Sequence, residues 1–463
     1  MKKVLIANRG EIAVRIIRAC HELGLKTVAV YAKEDEYGVH RFRADEAYQI
    51  GAGKKPIEAY LDMDDIIRVA KQTGADAVHP GYGFLAENEE FAQKCADNGI
   101  IFIGPTVRQL QLFGDKVAAK EVAVKAGLKT IPGTDEPVQS IDEVREFAHT
   151  HGYPIMIKAA MGGGGRGMRI VHDDDELDGA YDRARSEAKQ SFGDDELYVE
   201  KYLKNPKHIE VQILADQHGH VMHLFERDCS VQRRNQKVIE FAPSLALSEE
   251  RRQAICQAAV KLMESVHYQN AGTVEFLVTD EDFYFIEVNP RIQVEHTVTE
   301  LITDVDIVQS QILIADGADL YEDLELPAQD QLKYNGYGIQ CRVTTEDPEN
   351  NFMPDTGRIE TYRSPGGMGV RLDGGNAYAG AVITPYFDSL LVKACVHGRT
   401  FKSAVRRMIR VLHEFQIRGI KTNIPFMLNV LHHPVFAAGQ AHTTFIDQTP
   451  ELFDFKHEKP DAA

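Results

Sequence analysis

The stretch Tyr284–Thr297, YFIEVNPRIQVEHT, crowds Glu287, Asn289, Arg291, Gln293, Glu295 and His296 onto the end of one apolar run. It pairs naturally with Thr273–Val278, TVEFLV. Both runs alternate apolar and polar residues as strands do, and Asp280, Glu281 and Asp282 supply a short polar turn between them, so a hairpin is expected. A three-residue turn sets Glu275 opposite Glu287. Like charges directly opposed on a sheet repel, which makes sense if a hard divalent cation sits between them, Mg²⁺ with its attendant phosphates. Two glutamates on a solvated sheet face remain the plainer alternative. Beyond Pro290, residues Arg291, Gln293 and Glu295 occupy alternate positions. If extended, they aim a cation, an amide and a carboxylate at one small anion. A structural ion pair between Arg291 and Glu295 is the competing reading.

Composition bounds the class. A chain of 463 residues, 43% of them hydrophobic, can bury several cores, and about three domains is the length-based expectation. The formal net charge of −18, from 70 acidic and 52 basic residues, argues against a general nucleic-acid or anionic-membrane surface. Any phosphate must therefore be held by local clusters. The six cysteines, Cys20, Cys95, Cys229, Cys256, Cys341 and Cys395, lack metal-type spacing and read as reduced thiols in a cytoplasmic protein. The N-terminal MKKVLIANRGE is too short in apolar residues for a signal-peptide core, and no apolar run reaches transmembrane length.

Residues 2 to about 112 alternate strand and helix patterns, which predicts a small doubly wound parallel sheet. From Asp115 come a helix (Lys116 to Ala126), the strand YPIMIKAA, a glycine loop, the strand MRIV, a helix through Leu177 to Ala188 and the strand LYVEKYL. Helices then alternate with antiparallel strands to about Gly317. The charged stretch Tyr321 to Lys333 reads as a connection, and residues 334–446 as a mixed, β-rich unit ending in a helix through Val405 to Glu414. The expected divisions are 1–113, 114–320 with a mobile lid at about 131–203, 334–446, and a tail or linker at 447–463.

The loop GGGGRG at 162–167 satisfies G-x-G-x-x-G, yet it leads into another strand where a dinucleotide fingerprint needs a helix. Gly162, Gly163, Gly164 and Gly165 read instead as a hairpin loop whose bare amides can close over phosphates, with a plain flexible turn as the alternative. Lys116 and Lys158 flank it, and each could meet an anion or snorkel to water. Glu200, Lys201 and Leu203 lie at a strand end, where solvated side chains are the default. His208 and Glu210 share a strand face. The segment Glu226 to Glu240, ERDCSVQRRNQKVIE, brings Arg227, Arg233, Arg234 and Lys237 together with Gln232 in an acidic protein. An oxyanion-holding loop is favoured over a solvated charge run, because clustered arginines suit phosphate and carboxylate. Arg15, Arg18 and Glu22 fall at helical spacing on one face, with solvated salt bridges as the ordinary reading.

Five motifs in order, IANRGEIAVRIIRA, HPGYGFLAEN, GGGGRGM, ERDCSVQRRNQK and EVNPRIQVEHTVTE, resemble the biotin carboxylase unit of biotin-dependent carboxylases, an ATP-grasp enzyme family, over nearly the whole chain. The ending is more similar to the multidomain members than to the free subunit of acetyl-CoA carboxylase, which implies an excised N-terminal domain. The resemblance implies that Lys116, Lys158, Gly162 to Gly165 and His208 hold ATP phosphates, that Glu200, Lys201 and Leu203 receive the adenine, and that Gln232 meets the ribose. It implies metal ligation by Glu275, Glu287 and Asn289. Bicarbonate would lie against Lys237, Arg291, Gln293 and Val294, with Glu295 as general base and Arg342 stabilising the biotin enolate. A biotin carboxyl carrier domain and a carboxyltransferase domain are the implied partners. The helix face carrying Arg15, with Arg15 near Asp388, would contribute to a homodimer. Asn235 departs from the family's usual histidine in QRRHQK, so that residue's nucleotide contact is not carried over. Another ATP-grasp ligase acting on an amine, and a weakly catalytic nucleotide-binding domain, are the alternatives.

Overall fold

The computed structural model describes residues 1–159, 168–192 and 195–455. The loop Gly162–Gly165 lies outside them, as does the tail beyond residue 455. The strands Glu46–Gln49, Lys26–Tyr31, Lys3–Ile6, Ala77–His79 and Ile101–Phe102 form a five-stranded sheet in that order. Every pairing in it is parallel. Helix Gly10–Glu22 buries Ile12, Ile16 and Ile17 against this sheet. Helix Met63–Thr73 starts where the Asp62 carboxylate accepts the Asp65 N–H and stops at Gly74, whose φ of +66° a residue with a Cβ adopts at a cost. In such sheets ligands collect beyond the carboxyl ends of the strands. Here the Asn8 amide donates to the carbonyls of Pro80 and Tyr82 at 2.8 Å each, tying the two loops that leave those ends.

The second layer is an eight-stranded sheet ordered Phe283–Asn289, Asn270–Val278, Lys207–Ala215, Val221–Arg233, Gln236–Ala242, Tyr337–Thr344, Leu390–Gly398 and Val370–Gly374. All its pairings are antiparallel. It runs straight across the connection near Tyr321–Lys333, because Ile239 pairs with Cys341. Val392, Ala394 and Val396 point one way into a core with Ala404, Met408 and Val411 of helix Phe401–Glu414. Lys393 and Cys395, at the intervening positions, therefore face the other side, toward helix His296–Thr303.

A third unit is a three-stranded sheet, Met168–Val171, Ile155–Ala159 and Leu197–Lys201, with helices Ile141–His151 and Asp174–Phe192. It has its own core, including Val144, Ala148, Ile157, Leu177 and Val199. The last strand ends at Lys201, so Leu203 lies past it.

The expectation that Arg15 shares an outer face with Arg18 and Glu22 is overturned. Arg15 is buried and donates to Glu300 at 3.0 Å and Asp306 at 2.7 Å. Arg18 and Glu22 are exposed. The difference follows from the helix sitting between the parallel sheet and the helix Ile307–Ala315, which covers the turn expected to be open.

Three buried histidines must stay neutral to keep this packing. The ring nitrogens Nδ1 of His79 and His223 accept backbone N–H groups of Gly81 and Phe225, and His40 donates Nε2 to Val30 O. Burial lowers each pKa to about 4. Protonation is thus favoured in the unfolded chain between about pH 6.5 and 4. Stability is full above pH 6.5 and falls as pH drops toward 4, by up to about 3 kcal/mol per histidine. Thermal unfolding across this range should show Tm falling with pH. A His40→Gln variant should lose one histidine's share of the slope, and a flat Tm over that window would contradict the burial argument.

Candidate active site

A cleft of about 1080 Å³ opens where the loops after the parallel strands, the hairpin end of the antiparallel sheet and the segment Tyr386–Leu390 meet. Its floor is a row of charges set by strand register. Glu287 lies opposite Glu275, Glu275 opposite Glu210, and Glu210 opposite Arg227. The predicted hairpin has the predicted register, although its turn spans the four residues 279–282. Three carboxylates on neighbouring strands repel one another unless cations intervene.

Lys237 is the principal cation. Its Nζ donates to Glu210, to Glu275 at 3.1 Å and to Glu295 at 2.8 Å. Arg227, 0% exposed, takes the other side of Glu210 at 3.3 Å and also donates to Gln212 at 2.6 Å, Thr273 at 3.1 Å, Thr299 at 3.0 Å and Gln293 at 2.7 Å. Gln293 then donates its own amide to Glu275 at 2.9 Å, so its orientation is fixed from both ends. Asn289 donates to Glu275 at 2.7 Å. His208 donates Nε2 to Glu275 at 2.8 Å and lies 3.4 Å from Glu210. Burial alone would lower the His208 pKa, but the two carboxylates lift it to about 9. Against burial, which raises it, Lys237 with His208 and Arg227 holds Glu210 down at about 2. Glu275 is likewise depressed against burial, chiefly by Lys237 and His208. Glu287 is pushed up by burial and by Glu275.

Glu295 is held between two cations, Lys237 on one oxygen and Arg342 on the other at 3.0 Å. Burial works against its charge, yet Lys237 and Arg342 keep its pKa below the ordinary carboxylate value. Arg342 also donates to the buried Glu240 at 2.5 Å.

The segment after Pro290 is a turn rather than an extended strand, and Glu295 immediately precedes helix His296–Thr303. Gln293 and Glu295 still reach the floor. Arg291 also lines the cleft, donating to Glu87 at 3.1 Å and Asn289 at 3.0 Å, so the competing reading of a structural ion pair with Glu295 does not hold. Val294 lines the cleft, and its carbonyl accepts from Lys393. Lys116 is exposed at the start of its helix, and its charge acts on Glu287. In the three-stranded unit, Lys158 donates to Glu200 at 2.8 Å, while Lys201 turns its ammonium onto the carbonyls of Gly152 and Tyr153. Gln232 lies 3.4 Å from His208 Nδ1.

In the segment expected to hold an oxyanion, Gln232, Arg233 and Lys237 line the cleft. Of its four basic residues only Lys237 faces the carboxylate floor from the cleft side, since Arg227 is buried beneath it. Arg233 and Arg234 donate to Asn351, and Arg233 lies 4.1 Å over the Phe352 ring. Arg234 and Asn235 carry φ of +49° and +63° in the two-residue turn between paired Arg233 and Gln236. Both central residues of that turn need φ > 0, a conformation asparagine tolerates well, which gives Asn235 a local reason to be there.

Glu240, Glu11, Tyr82 and Lys393 escaped a functional reading of the sequence, which takes Arg227 only as part of an anion-holding loop. A signal existed for two of them: Glu240 in VIEFA and Lys393 in LLVKACV interrupt apolar strand patterns, and a charge buried there must find a partner.

The fold and this floor define an ATP-grasp type of protein. Residues 115–323 match the model of the carbamoyl-phosphate synthase L chain ATP-binding domain, and residues 1–110 and 340–448 match those of the biotin carboxylase N-terminal and C-terminal domains. The chain is similar to the crystal structure of the biotin carboxylase subunit of a pyruvate carboxylase, with 48% identity and a TM-score of 0.89 over 98% of this chain and 100% of that one. It is also similar to the biotin carboxylase domain of a thermophilic 2-oxoglutarate carboxylase bound to bicarbonate, at 46% identity and a TM-score of 0.92, covering 98% and 99% of the two chains. The pyruvate carboxylase of Bacillus subtilis is 61% identical over 99% of this chain, which spans 40% of that relative's length. The chain belongs to the biotin carboxylase family. Among the described residues no helix is long and apolar enough to cross a membrane.

Because Arg227 compensates Glu210 with both groups fully buried, Arg227→Met should leave an uncompensated charge and destabilise the fold by about 3–5 kcal/mol. Denaturant unfolding of the variant measures this. A loss below about 1 kcal/mol would show that Lys237 and His208 suffice for the row.

Proposed function

We propose that this domain carries out the ATP- and bicarbonate-dependent carboxylation of biotin, the first half-reaction of a pyruvate carboxylase. The supporting observation is that Glu295, a buried ionised carboxylate, sits between Lys237 and Arg342 at the floor of a cleft that the metal-type carboxylates also line. Bicarbonate takes its place against Lys237, Gln293, Val294 and Arg291, and Glu295 accepts its proton. When bicarbonate engages Lys237, the ammonium's hold on Glu295 weakens and the carboxylate becomes a stronger base. The bicarbonate oxygen attacks the γ-phosphorus of ATP and ADP leaves, giving carboxyphosphate. Its breakdown yields CO₂ and phosphate, the phosphate takes the ureido proton of biotin, Arg342 faces the enolate oxygen that forms, and the ureido nitrogen attacks the carbon of CO₂. Carboxybiotin is the product.

Lys116, Lys158, His208 and the loop Gly162–Gly165 are assigned to the phosphates, Glu200, Lys201 and Leu203 to the adenine, and Gln232 to the ribose region. Glu275, Glu287 and Asn289 fit a hard divalent ion, Mg²⁺ or Mn²⁺, because Glu287 has a raised pKa beside a second carboxylate. Such an ion supplies charge neutralisation at the phosphates. At Glu275 it competes with the hydrogen bonds from His208 and Lys237. The carrier and carboxyltransferase partners belong to the rest of a longer chain, in a cytoplasmic setting. The exposed Arg18 and Glu22 are assigned to a homodimer face. One solved relative is described as a biotin carboxylase domain dimer, which favours this assignment.

The deciding assay is ATP cleavage that requires bicarbonate and is stimulated by free biotin. If the rate is indifferent to both, the reading fails. Glu295→Gln should retain nucleotide binding while lowering bicarbonate-dependent cleavage by about 10²–10⁴-fold. Glu287→Gln should raise the Mg²⁺ concentration needed for half-maximal rate, and a titration curve superimposable on the parent's would remove Glu287 from the metal site.

A further inference from the structure

Two buried residues outside the assigned machinery hold consecutive carbonyls of the turn that presents Gln293, Val294 and Glu295. His296, 0% exposed, places Nδ1 at 2.7 Å from Gln293 O. Lys393, also 0% exposed, donates its ammonium to Val294 O at 3.0 Å. A carbonyl oxygen only accepts, so the His296 proton must reside on Nδ1. The buried Nε2 has no hydrogen-bond partner. That makes the Nδ1 bond the ring's one directed polar contact, and a ring nitrogen left unpaired in the interior is tolerated at a cost.

The consequence for the cleft follows from peptide geometry. In a planar trans peptide the C=O and N–H point in opposite directions. With Gln293 O turned onto buried His296, from which it accepts both Nδ1–H and, at 3.3 Å, the backbone N–H, the Val294 N–H of the same peptide is turned away from His296, and Val294 lines the cleft. Lys393 fixes the next peptide in the same manner. Its position is unusual for a residue with a merely local role, because Arg342, Lys393 and Asp373 stand in register on three neighbouring strands. Two like charges directly opposed repel. Here both grip the same turn, Lys393 by the Val294 carbonyl and Arg342 by the Glu295 carboxylate. Anions balance each: Glu11 lies 3.0 Å from Lys393, with Asp373 at 3.8 Å, and Glu240 meets Arg342. Glu11 in turn accepts the Tyr82 hydroxyl, so the clamp also ties the turn to the parallel-sheet side of the cleft.

We propose that His296 and Lys393 are positioning residues that fix two successive peptide planes, so that the Val294 N–H faces the cleft as an anion donor beside Glu295. Neither touches substrate. The donor role of that N–H rests on the bicarbonate reading above, whereas the peptide orientation does not.

The test compares His296→Leu with His296→Asn, whose amide nitrogen can replace Nδ1. His296→Leu should raise the KM for bicarbonate about tenfold, as expected for one lost buried hydrogen bond, while the KM for ATP stays within about twofold. His296→Asn should return the bicarbonate KM to within about threefold of the parent. Lys393→Met should act in the same direction, and if it fails to fold the two histidine variants decide. Equal bicarbonate KM values in the parent and the Leu variant, or an Asn variant as impaired as Leu, overturn the positioning role. ¹⁵N NMR of the parent's histidines, which needs no turnover, should show His296 as the Nδ1–H tautomer. The Nε2–H tautomer would overturn the orientation itself. A parent without bicarbonate dependence would refute the functional reading while leaving the NMR outcome to judge the geometry.

Discussion

Everything in the cleft depends on one electrostatic constraint: strand pairing brings Glu287, Glu275 and Glu210 into a single row. Coulomb repulsion between charges a few ångströms apart is severe once water is excluded. The row survives because Lys237 reaches over it from the neighbouring hairpin, Arg227 lies beneath Glu210 and His208 is protonated between two of its members. Each compensating group comes from a different part of the eight-stranded sheet. Register is therefore the quantity that matters, since a slip of one residue on any strand would send its charge to the opposite face.

The same constraint explains why the sheet crosses the connection at Tyr321–Lys333. Glu295 needs a second cation, and Arg342 arrives on a strand whose pairing with Gln236–Ala242 extends the sheet. The neighbouring Leu390–Gly398 strand contributes Lys393 behind the same turn. The parallel sheet joins through Glu11 and Tyr82. The cleft is thus a place where the parallel-sheet unit and both halves of the eight-stranded sheet share charges, and loosening any one leaves buried groups of another unpaired.

The sequence was most legible where periodicity was strong and local. Alternation in TVEFLV and YFIEVN was enough to set Glu275 against Glu287, and the strand–helix rhythm of the first hundred residues was enough for a parallel sheet. Motif resemblance supplied Arg342 and Lys237, which no local pattern could join to Glu295 across so many residues. What failed was inference about where side chains point beyond regular structure. Arg291, Gln293 and Glu295 looked co-facial in an extended chain; all three line the cleft, but they reach it from a turn that leads into a helix. Arg233 and Arg234 both donate to Asn351, a contact no local pattern announced, while Arg233 still lines the cleft. Arg15 looked exposed by helical spacing alone, and a helix from far along the chain covers it.

The balance of charge gives the floor a direction. Glu210, Glu240, Glu275 and Glu295 face Arg227, Arg342, Lys237 and protonated His208, so these groups cancel in number. Glu287 stands outside that balance on the edge strand, its pKa raised by burial and then by Glu275. A cation therefore gains most at this end of the row, near Lys116, and gains least at the Arg342 end. An anion's preference runs the opposite way, toward the pair of cations flanking Glu295. For the proposed reaction this gradient separates the two demands of the chemistry: metal-bound phosphate is drawn to the edge of the sheet, and the small anion to its centre beside the base. The two meet over Lys237, whose ammonium already touches carboxylates on both sides.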